Sequence, residues 1–69
     1  MKIFQERLLE QRKLNKLTQQ QVAKHLGISQ PSYIRYEHGS AEPSYDKLVM
    51  LADLFDVSID YLLGRITYL

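Results

Sequence analysis

Residues 19 to 38, QQQVAKHLGISQPSYIRYEH, constrain the chain most, because they set two short helical patterns on either side of a single glycine. Val22, Ala23 and Leu26 fall on one face of the first pattern, with the small Ala23 where a second helix has to cross closely. Gly27 supplies a residue free to adopt positive φ, which a sharp helix exit needs, and Ile28 can plug the angle between the two helices. Ser29 offers a hydroxyl to cap a new helix, and Pro31 fits that helix's first turn, where no intrahelical donor is lost. Tyr33 and Tyr36 then turn inward, leaving Gln30, Pro31, Ile34, Arg35 and His38 on the other side.

The rest of the chain divides the same way. Thr18, Ser29, Ser44 and Ser58 all stand as N-caps, each preceded by an apolar or ring residue and followed four positions later by an apolar one: Leu17 with Val22, Ile28 with Tyr33, Pro43 with Leu48, Val57 with Leu62. These are hydrophobic-staple spacings, and Thr18 with Gln21 adds a capping box. The pattern predicts helices over Ile3 to Leu14, 19–26, 30–38, 45–55 and 59–63, with Gly39 and Gly64 marking two of the ends. No segment alternates long enough for a strand, so the fold is expected to be all-α. Residues 1–64 are expected to form one domain and residues 65–69 a short apolar C-terminal tail.

Sixty-nine residues lie near the lower end of what one core can hold together, so a partner subunit would help. The chain has no cysteine, which excludes a disulfide scaffold and a thiolate metal site and fits a reducing cytoplasm. The start, MKIFQERLLEQRK, has no apolar run long enough for a signal peptide or a membrane span, so a cytoplasmic location with no membrane partner is expected. A net charge of +1 hides an uneven distribution. Residues 1 to 41 hold seven basic side chains (Lys2, Arg7, Arg12, Lys13, Lys16, Lys24, Arg35) against three acidic ones, whereas residues 42 to 69 hold two against five. The positive half carries the glycine-hinged helix pair, as a phosphate-facing surface needs. A protruding second helix with Gln and Arg near its start is what reading base edges in a DNA major groove requires.

Two charged residues fall on stripes that should be apolar. Arg12 follows Phe4 and Leu8 along helix one, and Glu37 follows Tyr33 on helix three. Either the two pair, guanidinium fork to carboxylate, or each reaches water on its own. With Arg12, LTQQQVAKHLGISQPSYIRYEHG (Leu17 to Gly39), Pro43-Ser44 and LVMLADLFDVSIDYLLG (Leu48 to Gly64), the chain resembles the phage-repressor-type (Cro/repressor, XRE-family) helix-turn-helix domains over about residues 4 to 64. The resemblance implies a compact five-helix bundle of the lambda-repressor-like type, an Arg12–Glu37 salt bridge, and DNA binding as a homodimer with helix three in the major groove. It also implies a regulatory outcome at a promoter, with repression the leading expectation. The chain departs from the family at the turn between helices one and two, where a glycine is common, so either Asn15 or Lys16 has to tolerate positive φ.

Helical angle and the resemblance together nominate Gln30, Pro31, Ser32, Ile34 and Arg35 as base-contacting residues. Gln30 can pair bidentately with adenine and Arg35 with guanine, and Ile34 either meets a thymine methyl or is buried by the helix angle. Thr18 and Gln19 are expected to grip phosphate at a helix N-terminus, with Lys16, His38, Ser44 and Tyr45 as further phosphate candidates. Ile66, Tyr68 and Leu69, with an outer face of helix five including Tyr61 and Leu62, are expected to form a two-fold dimer interface; the alternative is a tail that folds back or is disordered.

Nothing in the sequence suggests catalysis. His25 and His38 lie on different helices with no carboxylate at ligand spacing, and Asp53, Asp56 and Asp60 lack a calcium-loop pattern. No enzyme activity, metal or cofactor is expected. Two function classes stay open: a DNA-binding regulator, and an antitoxin-like or other protein-interaction module on the same fold. Salt-dependent duplex binding separates them.

Overall fold

A computed structural model describes residues 2–69 and contains five helices: α1 (Lys2–Leu14), α2 (Gln19–Leu26), α3 (Gln30–His38), α4 (Tyr45–Phe55) and α5 (Ile59–Leu62). Four hydroxyl side chains fix where α2 to α5 begin. Thr18, Ser29, Ser44 and Ser58 each accept the backbone N–H three residues on, at 3.1, 3.2, 3.3 and 3.0 Å. At Thr18 the Gln21 side chain also accepts the Thr18 N–H at 2.8 Å, which completes the capping box.

All five helices end alike. The N–H groups of Leu17, Ile28, Ser40, Val57 and Arg65 donate back to the carbonyls of Arg12, Ala23, Arg35, Ala52 and Asp60, at 2.9 to 3.1 Å. The residue before each donor is left-handed, and these five, Lys16, Gly27, Gly39, Asp56 and Gly64, are the positive-φ residues among the described ones. This is the longer bond of the Schellman closure, and it satisfies a carbonyl that a helix end leaves open. Lys16, with φ of 57°, is therefore the residue that takes the strained position at the end of α1, not Asn15. Three connections use one three-residue corner of left-handed residue, apolar residue and hydroxyl cap: Lys16-Leu17-Thr18, Gly27-Ile28-Ser29 and Asp56-Val57-Ser58. The link from α3 to α4, residues 39–44, is the longest.

These corners fold α2 against α3, α1 against both α3 and α5, and α4 against α2 and α5. Phe4 and Leu8 from α1, Val22, Ala23 and Leu26 from α2, Tyr33 from α3, and Leu51, Ala52 and Phe55 from α4 make the shared core. The apolar members of the corners, Leu17, Ile28 and Val57, pack into or against it. Lys47 of α4 donates its Nζ to the Leu26 carbonyl at 2.7 Å, tying α4 to the last turn of α2. No helix among the described residues is long and apolar enough to cross a membrane.

The C-terminal segment corrects part of the expected interface. Tyr61 and Leu62 do not form an outward face, since α5 is a single turn wedged against α1 and α4 and directs both into the core, 7% and 0% exposed. Arg7 reaches over from α1 and donates Nη1 to the Tyr61 carbonyl and, at 2.7 Å, to the Ile66 carbonyl, while its guanidinium lies 4.3 Å from the Tyr61 ring centre. The Ser58 N–H donates to the Leu69 carbonyl at 3.1 Å, so the tail folds back on its own subunit. Ile66 is half-buried, while Tyr68 and Leu69 stay 73% and 61% exposed.

The strain at the corners is measurable. Lys16→Gly should raise the unfolding free energy by about 1 kcal/mol, and Gly27→Ala should lower it by about 1 to 2 kcal/mol. A methyl at Gly27 would meet nothing within 4 Å, so the loss there reports backbone conformation alone. Urea midpoints of the two variants test this, and a Lys16→Gly protein no more stable than the parent would mean that the lysine side chain offsets its own strain.

Candidate nucleic-acid interface

Tyr33 anchors α3 through its inner face, fully buried and edge-on to the Tyr36 ring, with centroids 6.1 Å apart. With that face fixed, Gln30, Pro31, Arg35 and His38 are exposed on the opposite side, and Ser32 and Ile34 lie half-buried along its flanks. Ser29 and Ser32 are linked at the start of the helix, the Ser29 hydroxyl donating to the Ser32 hydroxyl at 2.9 Å.

The start of α2 faces the start of α3. An open groove of about 520 Å³ lies between them, lined by Arg12, Lys16, Leu17, Thr18, Gln19, Gln20 and Gln30. Because the capping box uses the N–H groups of Thr18 and Gln21, those of Gln19 and Gln20 are the two at this helix end left without an intrahelical partner. They carry the positive end of the α2 dipole into a groove that also holds two cationic side chains. Ser44 and Tyr45 start α4 outside this groove, and Tyr45 is 69% exposed.

Glu37 lies beneath this surface and gathers four donors. Its Oε2 accepts Arg12 Nε at 2.6 Å and the Tyr33 hydroxyl, and its Oε1 accepts Arg12 Nη2 at 3.2 Å and Gln19 Nε2 at 3.1 Å. Arg12 uses Nη1 as well, donating to the Leu17 carbonyl at 3.0 Å. The pair is largely withdrawn from water, the Arg12 and Glu37 side chains being 14% and 4% exposed. Burial by itself pushes the Glu37 carboxyl up, but hydrogen bonds from Arg12, Tyr33 and Gln19 outweigh it and hold the group below its ordinary value. Burial first, and then the bond to Glu37, push the Tyr33 hydroxyl well above its usual range, so it remains a donor.

The structure thus brings Arg12, Lys16, Thr18, Gln19 and Gln30 to one groove and unites Arg12 with Glu37 below it. Two links lie outside what the sequence pattern suggests. The Gln19 to Glu37 bond joins residues on different helices, with no spacing to announce it. The Arg7 clasp on Tyr61 and Ile66 likewise has no local signature, and Arg7 enters the sequence reading only as one of the N-terminal basic residues. Among the described residues no group of three His, Cys, Asp or Glu is placed to hold a metal ion.

Comparison with known proteins agrees with this geometry. Residues 8–62 match the family described as helix-turn-helix. The chain is 51% identical over 61 residues to the HTH-type transcriptional regulator YqaE of Bacillus subtilis, covering 88% of this chain and 53% of that protein. It is 49% identical over 65 residues to the cryptic phage CTXphi transcriptional repressor RstR of Vibrio cholerae, covering 94% of this chain and 57% of that one. The chain therefore spans about half the length of the curated relatives it matches. Among solved structures, the P22 c2 repressor protein in complex with a synthetic operator superposes with a TM-score of 0.80 at 30% identity, covering 86% of this chain and 89% of that one. A transcriptional regulator from Listeria innocua superposes with a TM-score of 0.85 at 32% identity, covering 96% and 62%. The all-helical five-helix arrangement is that of the P22 c2 repressor.

Arg12→Ala should destabilise the domain by about 3 to 5 kcal/mol by leaving the Glu37 charge buried and unpaired, and replacing both residues by apolar ones should recover much of the loss. A four-protein denaturation cycle checks this, and additive effects would contradict the bond.

The depressed Glu37 carboxyl also sets an acid limb. Its ionised form is favoured by folding, so the contribution is complete above the ordinary glutamate value of about 4.3 and is lost as pH falls through the lower folded value. Stability measured from pH 7 downwards should fall below about pH 4.3, with a shallower fall in Glu37→Gln.

Proposed function

The chain belongs to the helix-turn-helix family, and on that premise we propose that it is a sequence-specific transcriptional regulator, a repressor, that binds a near-palindromic operator as a homodimer with α3 in the major groove. The observation that carries this reading is the pairing of a recognition face with a phosphate-facing groove. A helix anchored by Tyr33 and Glu37 exposes Gln30 and Arg35, and Gln30 lines one groove with the free N–H groups at the start of α2. The repressor named among its relatives and the operator complex of its structural neighbour support the same reading.

In this reading Gln30, Pro31, Ser32, Ile34 and Arg35 approach the bases, with Gln30 suited to adenine and Arg35 to guanine O6 and N7. Thr18, Gln19 and Lys16 meet the phosphate backbone from the groove, and His38, Ser44 and Tyr45 are further phosphate contacts outside it. No cofactor is needed, and the site of action is the cytoplasm, where the duplex is. Adjacent major-groove half-sites lie about 34 Å apart along one turn. The longest dimension of the domain is 29 Å, so two copies side by side match that span better than one. Although the tail folds back on its own subunit, the Tyr68 and Leu69 side chains stay exposed on it, and they supply the apolar surface for the two-fold contact.

Selection of bound sites from a random duplex pool tests the proposal. The expected product is a near-palindrome whose half-sites are one helical turn apart, and failure to enrich any sequence would overturn it. On the selected site, Arg35→Ala should cost about 1 to 3 kcal/mol and relax preference at one base pair per half-site. Equal weakening on all sequences would make Arg35 a phosphate contact instead.

A further inference from the structure

Gln19 is the first residue of α2, and its side chain has no capping work to do, because Thr18 and Gln21 already close that helix end between them. It turns instead across to α3, where its Nε2 donates to Glu37 Oε1 at 3.1 Å. The Arg12–Glu37 pair is already bidentate without it. Each Glu37 oxygen accepts two hydrogen bonds, so the carboxylate is full and its four donors are fixed relative to one another. A carboxylate accepts only from the nitrogen end of an amide. A reversed Gln19 would bring oxygen lone pairs against a buried negative charge, so the amide cannot flip. One Gln19 Nε2–H is thereby spent inward, and the other remains for the groove that this residue lines with Lys16 and Thr18.

We propose that Glu37 is a positioning residue for DNA binding, holding the Gln19 amide so that its second N–H meets a backbone phosphate of the duplex. The inference rests on the DNA-binding reading above and adds a specific dependence to it. Glu37 touches no nucleotide; it acts through Gln19, and it links the phosphate-gripping end of α2 to the far end of the recognition helix. Electrostatics alone gives the opposite sign. Removing a negative charge next to a phosphate-facing groove should tighten binding to any duplex, whereas releasing Gln19 should weaken it.

The test uses a mixed-sequence duplex of about 20 base pairs, because a phosphate contact does not depend on the operator. Affinities of the parent, Glu37→Gln, Gln19→Ala and the double variant are referred to the folded fraction, measured by circular dichroism in the same solution. Glu37→Gln should bind about tenfold more weakly per folded molecule. The slope of affinity against salt should not become shallower, since no cation leaves the groove. In the Gln19→Ala background the same substitution should no longer weaken binding. Equal or tighter binding by Glu37→Gln, or an equal loss in both backgrounds, would overturn the proposal. Should Glu37→Gln not fold, the parent protein answers by nuclear magnetic resonance. One Gln19 Nε2 proton should be protected from exchange, and the other should shift when duplex is added; an unmoved amide, while α3 resonances shift, would overturn it. A parent chain that binds no duplex at any salt would instead overturn the functional reading, and this inference with it.

Discussion

Four hydrogen bonds converge on the Glu37 carboxylate, from Arg12 of α1, Gln19 of α2 and Tyr33 of α3 itself. Among the described residues no other polar group joins so many helices, and the orientation of α3 follows from it. A buried ion pair adds little net stability over a well-packed apolar pair, because desolvation offsets most of the attraction. Its value here is directional. A guanidinium fork, an amide and a phenol each accept only a narrow range of geometry, so α3 can neither roll nor slide without breaking several bonds together. An apolar cluster of the same volume would hold α3 near the core but would tolerate rotation about its axis. The bonds therefore fix the azimuth of the outward side chains more than they add stability.

The first helix acts as the spine of this arrangement. Arg12 near its C-terminal end holds α3 and the Leu17 carbonyl, and Arg7 holds the carbonyls that close α5 and start the tail. Side-chain bonds thus tie both α3 and the C-terminal segment to α1. Arg7 also places a positive charge at the end of α5, where free carbonyls favour one, and covers the Tyr61 ring. Tyr61 thereby becomes part of the core with both its ring and its carbonyl occupied.

The helices and their starts were legible in the sequence because they are set by contacts within four residues. Hydroxyl caps, the capping box and the glycine exits are local chemistry, and they place α2, α3 and α4 without knowledge of the fold. The Arg12–Glu37 bond was half legible: two charges on apolar stripes announce a problem, and only the packing of α1 on α3 supplies its solution. Gln19 reads from sequence as a residue of the phosphate-facing helix end, and nothing in its neighbours shows that one of its donors is committed inward. The apolar tail residues read as an interface for the same reason. Burial of Tyr61 and Leu62 depends on how a one-turn helix wedges between α1 and α4, which periodicity over so few residues does not encode.

The repeated three-residue corner has a consequence for how the chain can change over generations. Leu17, Ile28 and Val57 each complete the exit of one helix and the entry of the next, so a single substitution at any of them disturbs two helix ends. Insertion there is no easier, because an added residue would separate the left-handed turn from the cap that must follow it. The six-residue link between α3 and α4 carries no such overlap and is the natural place for length to drift. The outer face of α3 is equally unburdened, since its geometry is fixed from beneath. A lineage built on this frame can change the side chains that α3 presents while its corners stay almost unedited.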